Sequence, residues 1–165
     1  MMKFELSTDI YRPLAQVFAF VTTPENNFHW QCGTLLSTKI SGKDMGVGTL
    51  IRVTDHIMGR RMESVYEITE FKLNKMYGFK SLSGLMDLHT LYTFEIMRGS
   101  TRINQSTEIS LAEPFKANPT AAEKTVKKEY RENLALLKEI LESSRVQMSL
   151  ERTLLVSKHR RSDPK

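Results

Sequence analysis

The stretch from Ala121 to Ser143, AAEKTVKKEYRENLALLKEILES, constrains this chain more than any other. At ~100° per residue, Val126, Tyr130, Leu134, Leu137, Ile140 and Leu141 fall inside an arc of roughly 120°, with the charges mostly outside it. That pattern predicts a helix of about six turns, ~34 Å long. Thr120 with Glu123 forms a capping-box pattern, and Pro119 after Asn118 offers a second start. A single apolar face of this length has to be buried against another layer. Asn133 interrupts it. Burying its amide unpaired costs on the order of 1–3 kcal/mol, so the position predicts either a partner or a cavity.

The preceding sequence supplies the other layer. From Thr34 to about Leu111 the hydrophobic period changes from 3.6 to 2, and six strands are expected over 34–41, 47–58, 61–72, 75–83, 86–98 and 101–112. Turn residues separate them at Ser41-Gly42-Lys43-Asp44, Gly59, Asn74, Ser83-Gly84 and Gly99-Ser100. The short connections predict consecutive antiparallel hairpins. In the last strand, Ile103, Gln105, Thr107, Ile109 and Leu111 share one face, and the opposite face is wholly polar. The strand before it puts Leu88, Thr90, Tyr92, Phe94 and Ile96 on its apolar side. Thr49, Ile51, Val53, Asp55 and Ile57 share a face further upstream, as do Met62, Ser64, Tyr66 and Ile68.

Residues 3–10 alternate as a further strand, and Pro13 opens a short helix with Leu14, Val17, Phe18 and Val21 on one face. PENNFHWQ reads as a second short helix or turn carrying Phe28 and Trp30. One-sided strands followed by a one-sided long helix predict an α+β fold of two layers, with the helix in the concave face of a curved seven-stranded antiparallel sheet.

The 165 residues suit one domain, placed at 1–144. Residues 145–165 are expected to form a loosely ordered tail. That tail carries +4 of the net charge of +5, so the body is almost neutral. A nearly neutral body is the wrong electrostatic footprint for gripping phosphates, and no nucleic-acid partner is expected. One cysteine, Cys32, excludes an intramolecular disulfide and fits a reducing cytosol. The first residues lack a signal-peptide pattern, and no stretch approaches the ~20 apolar residues that span a bilayer. A cytoplasmic location is therefore expected.

The order of elements, together with IYRPLAQVFAFVTTPENNFHW, GVGTLIRV and YEITEFKLNKMYGFKS, resembles the START-like, or SRPBCC, superfamily with its helix-grip fold. The polyketide cyclase/dehydrase-like group is the branch it resembles most. The resemblance extends over about residues 3–142 and lies in architecture and hydrophobic positions. It implies an apolar cavity between the long helix and the sheet. Members of the superfamily bind lipids, sterols, polyketides or plant hormones; others act as cyclases, dehydratases or hydroxylase domains, or regulate partner proteins. They share no invariant catalytic motif, so the resemblance assigns no role residue by residue.

The residues offer their own support for a cavity. Asp55, Ser64, Tyr66, Thr90, Tyr92, Gln105, Thr107 and Asn133 fall on faces expected to be internal, many polar groups for a solid core. Apolar walls with a few orienting polar groups are the usual composition of a small-molecule site. The alternative is that they bond to one another in a filled core. Ile51, Val53, Ile68, Phe79, Phe94, Tyr130, Leu134 and Leu137 complete the expected ligand-contacting set, and Phe28 and Trp30 either cap the cavity mouth or pack the short helices. Asn133 is expected to face the cavity near Gln105 or Tyr92. No binder in a mixed lipid and aromatic library, together with a core holding no cavity above ~100 Å³, would rule ligand binding out.

The leading functional reading is binding of a small hydrophobic or amphipathic molecule, with Tyr66, Tyr92, Gln105 and Asn133 orienting its polar end. A second is a cyclase/dehydratase-type enzyme. In that reading a desolvated Asp55 acts as base, and Tyr92 or Tyr66 donates a hydrogen bond to the developing enolate. A third is a partner-regulating module acting through the basic tail. His29, His56, His89 and His159 are scattered, so no metal site is expected. No cofactor is expected either, since GVGTL opens a strand rather than a helix.

Overall fold

The structure is a computed structural model and describes residues 1–57, 59–84, 86–111 and 117–143. The chain runs through β1 (Met2–Ile10), α1 (Leu14–Val21), a 3-10 turn at Pro24–Asn26, α2 (Asn27–Trp30) and β2 (Thr34–Lys39). It continues through β3 (Leu50–Ile57), β4 (Arg60–Lys72), β5 (Met76–Ser83), β6 (Met86–Met97) and β7 (Ser100–Leu111) to α3 (Pro119–Glu142). The seven strands form one antiparallel sheet in the order β1-β7-β6-β5-β4-β3-β2. β2 through β7 are sequential neighbours, while β1 pairs with β7 from Met2↔Ile109 to Ile10↔Thr101. α1, the 3-10 turn and α2 therefore carry the chain from one sheet edge to the other. This is the expected α+β helix-grip arrangement. No described helix is long and apolar enough to cross a membrane.

Two sequence expectations need correction. β3 starts at Leu50 rather than at residue 47, because residues 46–49 close a turn in which the Thr49 amide donates to the Gly46 carbonyl at 3.1 Å. Gly48 holds φ at 89° there, a value most side chains resist. Ile96, expected on the inner face, is 77% exposed. The helical cover stops at Phe94, which meets Phe18 of α1 edge-on at 5.1 Å, and Ile96 lies beyond it toward the Gly99 turn. Of the two possible starts of the long helix, Asn118 is the cap: its side chain accepts from the Ala121 amide at 3.2 Å, with Pro119 in the first turn. The side chains of Ile57 and Leu111 and the tail at 145–165 fall outside what is described.

The two halves of α3 meet different surroundings. Leu134, Leu137 and Leu141 are buried to 3% exposure or less in one core with Ile10, Val17, Val21, Phe94 and Ile103. At ~1.5–3 kcal/mol for each fully buried leucine, this half fixes the helix to the sheet. Its end is also tied by polar contacts. The Glu142 carboxylate accepts from the Tyr11 amide at 2.9 Å and pairs with Lys138 at 2.7 Å, and Arg12 donates to the Glu142 carbonyl at 2.6 Å. The first half of α3 offers Val126, Glu129, Tyr130 and Asn133 to the sheet instead, and there the packing opens.

Candidate functional site

Between this first half of α3 and the concave face of β3–β7 lies a cavity of about 90 Å³. Its walls are Ile51 and Val53 of β3, Tyr66 of β4, Tyr77 and Phe79 of β5, and Met86, Leu88 and Tyr92 of β6, with Ile109 of β7 and Val126 and Tyr130 of α3. Strand alternation brings these side chains to one face, and their shape explains the space. The Tyr77 and Tyr92 rings are nearly parallel with centroids 6.3 Å apart, and Phe79 stands edge-on to Tyr66 at 5.4 Å. Tyr130 leans edge-on against Phe4 at 5.2 Å. Rings that satisfy one another in this way form rigid walls, which cannot interdigitate with the helix as leucines do.

The four tyrosines carry polar groups into this apolar space. Among the described residues, the hydroxyls of Tyr77, Tyr92 and Tyr130 make no hydrogen bond to protein, although Tyr77 and Tyr92 are each only 3% exposed. Burial pushes the Tyr66 hydroxyl up to about 12, helped by the Asp55 charge and opposed by the Ser64 hydroxyl. It pushes Tyr77, Tyr92 and Tyr130 up as well, so all four are neutral hydrogen-bond donors near neutral pH.

One end of the cavity is polar, formed by Asn27, Gln31, Cys32, Thr34, Asp55, Glu129 and Asn133. Asp55 is 8% exposed and accepts a 2.8 Å hydrogen bond from the Thr34 hydroxyl across β2 and β3. Burial raises its pKa and the Thr34 bond only partly offsets this. Glu129, on α3, is raised by burial and then by the charges of Glu132 and Asp55. Asn133 finds the partner its position demanded, but not the expected one. Its side-chain oxygen accepts from the Cys32 backbone amide at 2.8 Å, tying α3 to the loop between α2 and β2.

A family described as polyketide cyclase / dehydrase and lipid transport matches residues 1–142. The chain belongs to this family. Solved structures place it in the same fold. A START superfamily protein from Mycobacterium smegmatis superposes with a TM-score of 0.73 at 11% identity, covering 85% of this chain and 97% of that one. TTHA0849 from Thermus thermophilus gives 0.70 at 19% identity, with 90% and 99% covered. A conserved protein from Geobacillus kaustophilus gives 0.72 at 9% identity, with 85% and 95% covered. At these identities the likeness is one of fold. No curated protein matches the chain.

In this polyketide cyclase/dehydrase-like domain the residues singled out from sequence divide into two groups. Ile51, Val53, Asp55, Tyr66, Phe79, Tyr92, Tyr130 and Asn133 line the cavity together. Ser64, Ile68, Thr90, Phe94, Gln105, Thr107, Leu134 and Leu137 are buried but do not line it. Three polar members of that second group bond to one another: Gln105 donates to Thr107 at 3.1 Å, and the Thr90 and Thr107 hydroxyls are 3.0 Å apart. Trp30 is 1% exposed and packs edge-on to Tyr92 at 6.3 Å, with its indole N–H buried and unpartnered. Phe28 is 58% exposed and leans on His29 rather than over the cavity.

Several lining residues escaped the sequence reading. Tyr77, Met86, Leu88, Ile109 and Val126 sit on faces the alternation or the helical stripe does mark, so the pattern signals them as internal without separating wall from core. Asn27, Gln31, Cys32 and Thr34 come from the α2–β2 segment, and Glu129 lies one residue off the apolar stripe. No periodicity flags these five.

Proposed function

We propose that this protein binds a small hydrophobic or amphipathic molecule in the cavity beneath the first half of α3. One observation carries the reading: an aromatic-walled space lined by Tyr77 and Tyr92, whose hydroxyls make no hydrogen bond to protein among the described residues. Hydroxyls that line a cavity without a protein partner are available to a ligand's polar group, as donors or as acceptors. Family membership supports the same class of ligand.

The volume sets a condition. At about 90 Å³ the cavity lies under the ~100 Å³ floor for a binding core and well below the ~300–1,000 Å³ usual for a small-molecule site. It is also below the ~150 Å³ that accommodates benzene in an engineered cavity. Entry therefore requires side chains to move. Met86, partly buried and with a flexible thioether chain, is the wall residue placed to do so. Neutral alkyl and aryl alcohols of increasing length, followed by native mass spectrometry and thermal shift, test the reading. At about a hundred times its Kd a ligand adds ~2.7 kcal/mol of stability, a Tm rise on the order of 5–10 °C. If no member of the series binds or raises Tm, the reading fails.

A second reading is an enzyme of the cyclase/dehydratase kind, favoured by the desolvated Asp55 whose charge acts on the Tyr66 hydroxyl. Asp55 would take the proton from the carbon next to a bound carbonyl, and Tyr66 would donate a hydrogen bond to the enolate oxygen. Tyr92, the other candidate donor, packs against Trp30 and Tyr77. Turnover of a carbonyl compound that survives Asp55→Asn would remove Asp55 from the role.

A further inference from the structure

The polar end of the cavity carries two carboxylates among neutral polar groups. Asp55 and Glu129 approach it from the sheet and from α3, and no Lys, Arg or His lines the cavity among the described residues. Among the described residues neither carboxylate forms an ion pair, and the nearby Glu132 is paired with Lys128 at 3.8 Å. Asn27 also lines the cavity. Its side-chain oxygen is buried and without a hydrogen-bond partner, while its amide nitrogen donates to Ser37 at 3.4 Å. The buried Asp55, the half-buried Glu129 and the Asn27 oxygen thus line one cavity to which the described residues supply no cation. The same cavity is lined by Tyr92, a residue 3% exposed whose hydroxyl has no protein partner among the described residues and can accept as well as donate.

We propose that the polar head of the ligand is a cation that donates hydrogen bonds, an ammonium group carried on an apolar or aryl tail. This rests on the ligand-binding reading above and narrows its substrate class. The tail lies against Tyr66, Phe79 and Tyr92, and the ammonium meets Asp55, Glu129 and the Asn27 oxygen. Charge-assisted bonds to a desolvated carboxylate are about twice as strong as neutral ones, and the tyrosine rings tolerate or attract a cation. A carboxylate or phosphate head meets two like charges and the lone pairs of Asn27. Sterol-like or fatty-acid-like ligands are disfavoured at this end by the same argument.

The test uses three matched series of straight-chain and phenylalkyl compounds bearing an amine, a hydroxyl or a carboxylate. Each is titrated into the full chain at neutral pH and at two salt concentrations. The amines are expected to bind at least tenfold more tightly than the alcohols of equal length, and the carboxylates more weakly than either. The amine-to-alcohol ratio is expected to drop at least fivefold in Asp55→Asn and again in Glu129→Gln. The second change falls at a half-buried helix position and keeps the assay interpretable should the first variant misfold. Alcohols that bind as tightly as amines, or a ratio unmoved by both variants, would overturn the cationic head and leave the ligand-binding reading standing. Failure of every series to bind would overturn both.

Discussion

Asn133→Ala tests whether the polar end of the cavity is held by a single side chain. The bond at stake is the one Asn133 accepts from the Cys32 amide at 2.8 Å, and Cys32 is exposed. A hydrogen bond of this kind contributes a net ~0.5–1.5 kcal/mol. The freed amide faces water, so no desolvation penalty is added when its partner goes. Alanine also suits a helix interior better than asparagine by up to ~0.7 kcal/mol. The two effects oppose, and the net loss of stability stays below ~1 kcal/mol, a Tm change of no more than about 4 °C. Locally the result is different: exchange of the Cys32 amide quickens by roughly 2- to 10-fold, because only that bond protects it. Amide hydrogen exchange by NMR reads the local effect, and urea denaturation reads the global one. Ligand association and dissociation should both speed up, since the loop between α2 and β2 no longer closes on α3. An unchanged Cys32 exchange rate, or a Tm fall beyond about 10 °C, would refute the reasoning. The first result removes the latch, and the second makes Asn133 part of the core.

Two further outcomes follow from the same geometry. Leu137→Ala removes a side chain with no exposure from the solid half of α3, and should cost ~2–5 kcal/mol in chemical denaturation; a loss below ~1 kcal/mol would mean that half is not close-packed. Asp55→Asn should raise stability at pH 7. Burial lifts the folded pKa of Asp55 above its unfolded value, so its contribution is most favourable below the unfolded pKa and is lost as pH rises through the folded one. Asparagine keeps an acceptor for the Thr34 hydroxyl and carries no charge, so its advantage should shrink as pH falls through the folded pKa. A variant less stable than the parent at pH 7 would contradict the desolvation account.

The sequence by itself determined the layers. Period-two alternation over the strands and the Val126–Leu141 stripe state which faces must be buried, and the short Gly- and Asn-marked turns leave little choice but successive antiparallel hairpins. Those are local properties, written in neighbouring residues. The division of the buried faces into wall and core was decided only by tertiary structure. Thr90, Gln105 and Thr107 look as ligand-ready in sequence as Tyr66 and Tyr92, yet the threonines and the glutamine satisfy one another across β6 and β7. The large rings instead prop open a space beneath α3. The polar end was still less legible. It is assembled from α2, the loop after it, β3 and α3, and Asn133 meets Cys32 across 101 residues of chain. A contact between such distant positions leaves no period to read, and it exists only because Leu134, Leu137 and Leu141 first fix the helix against the sheet.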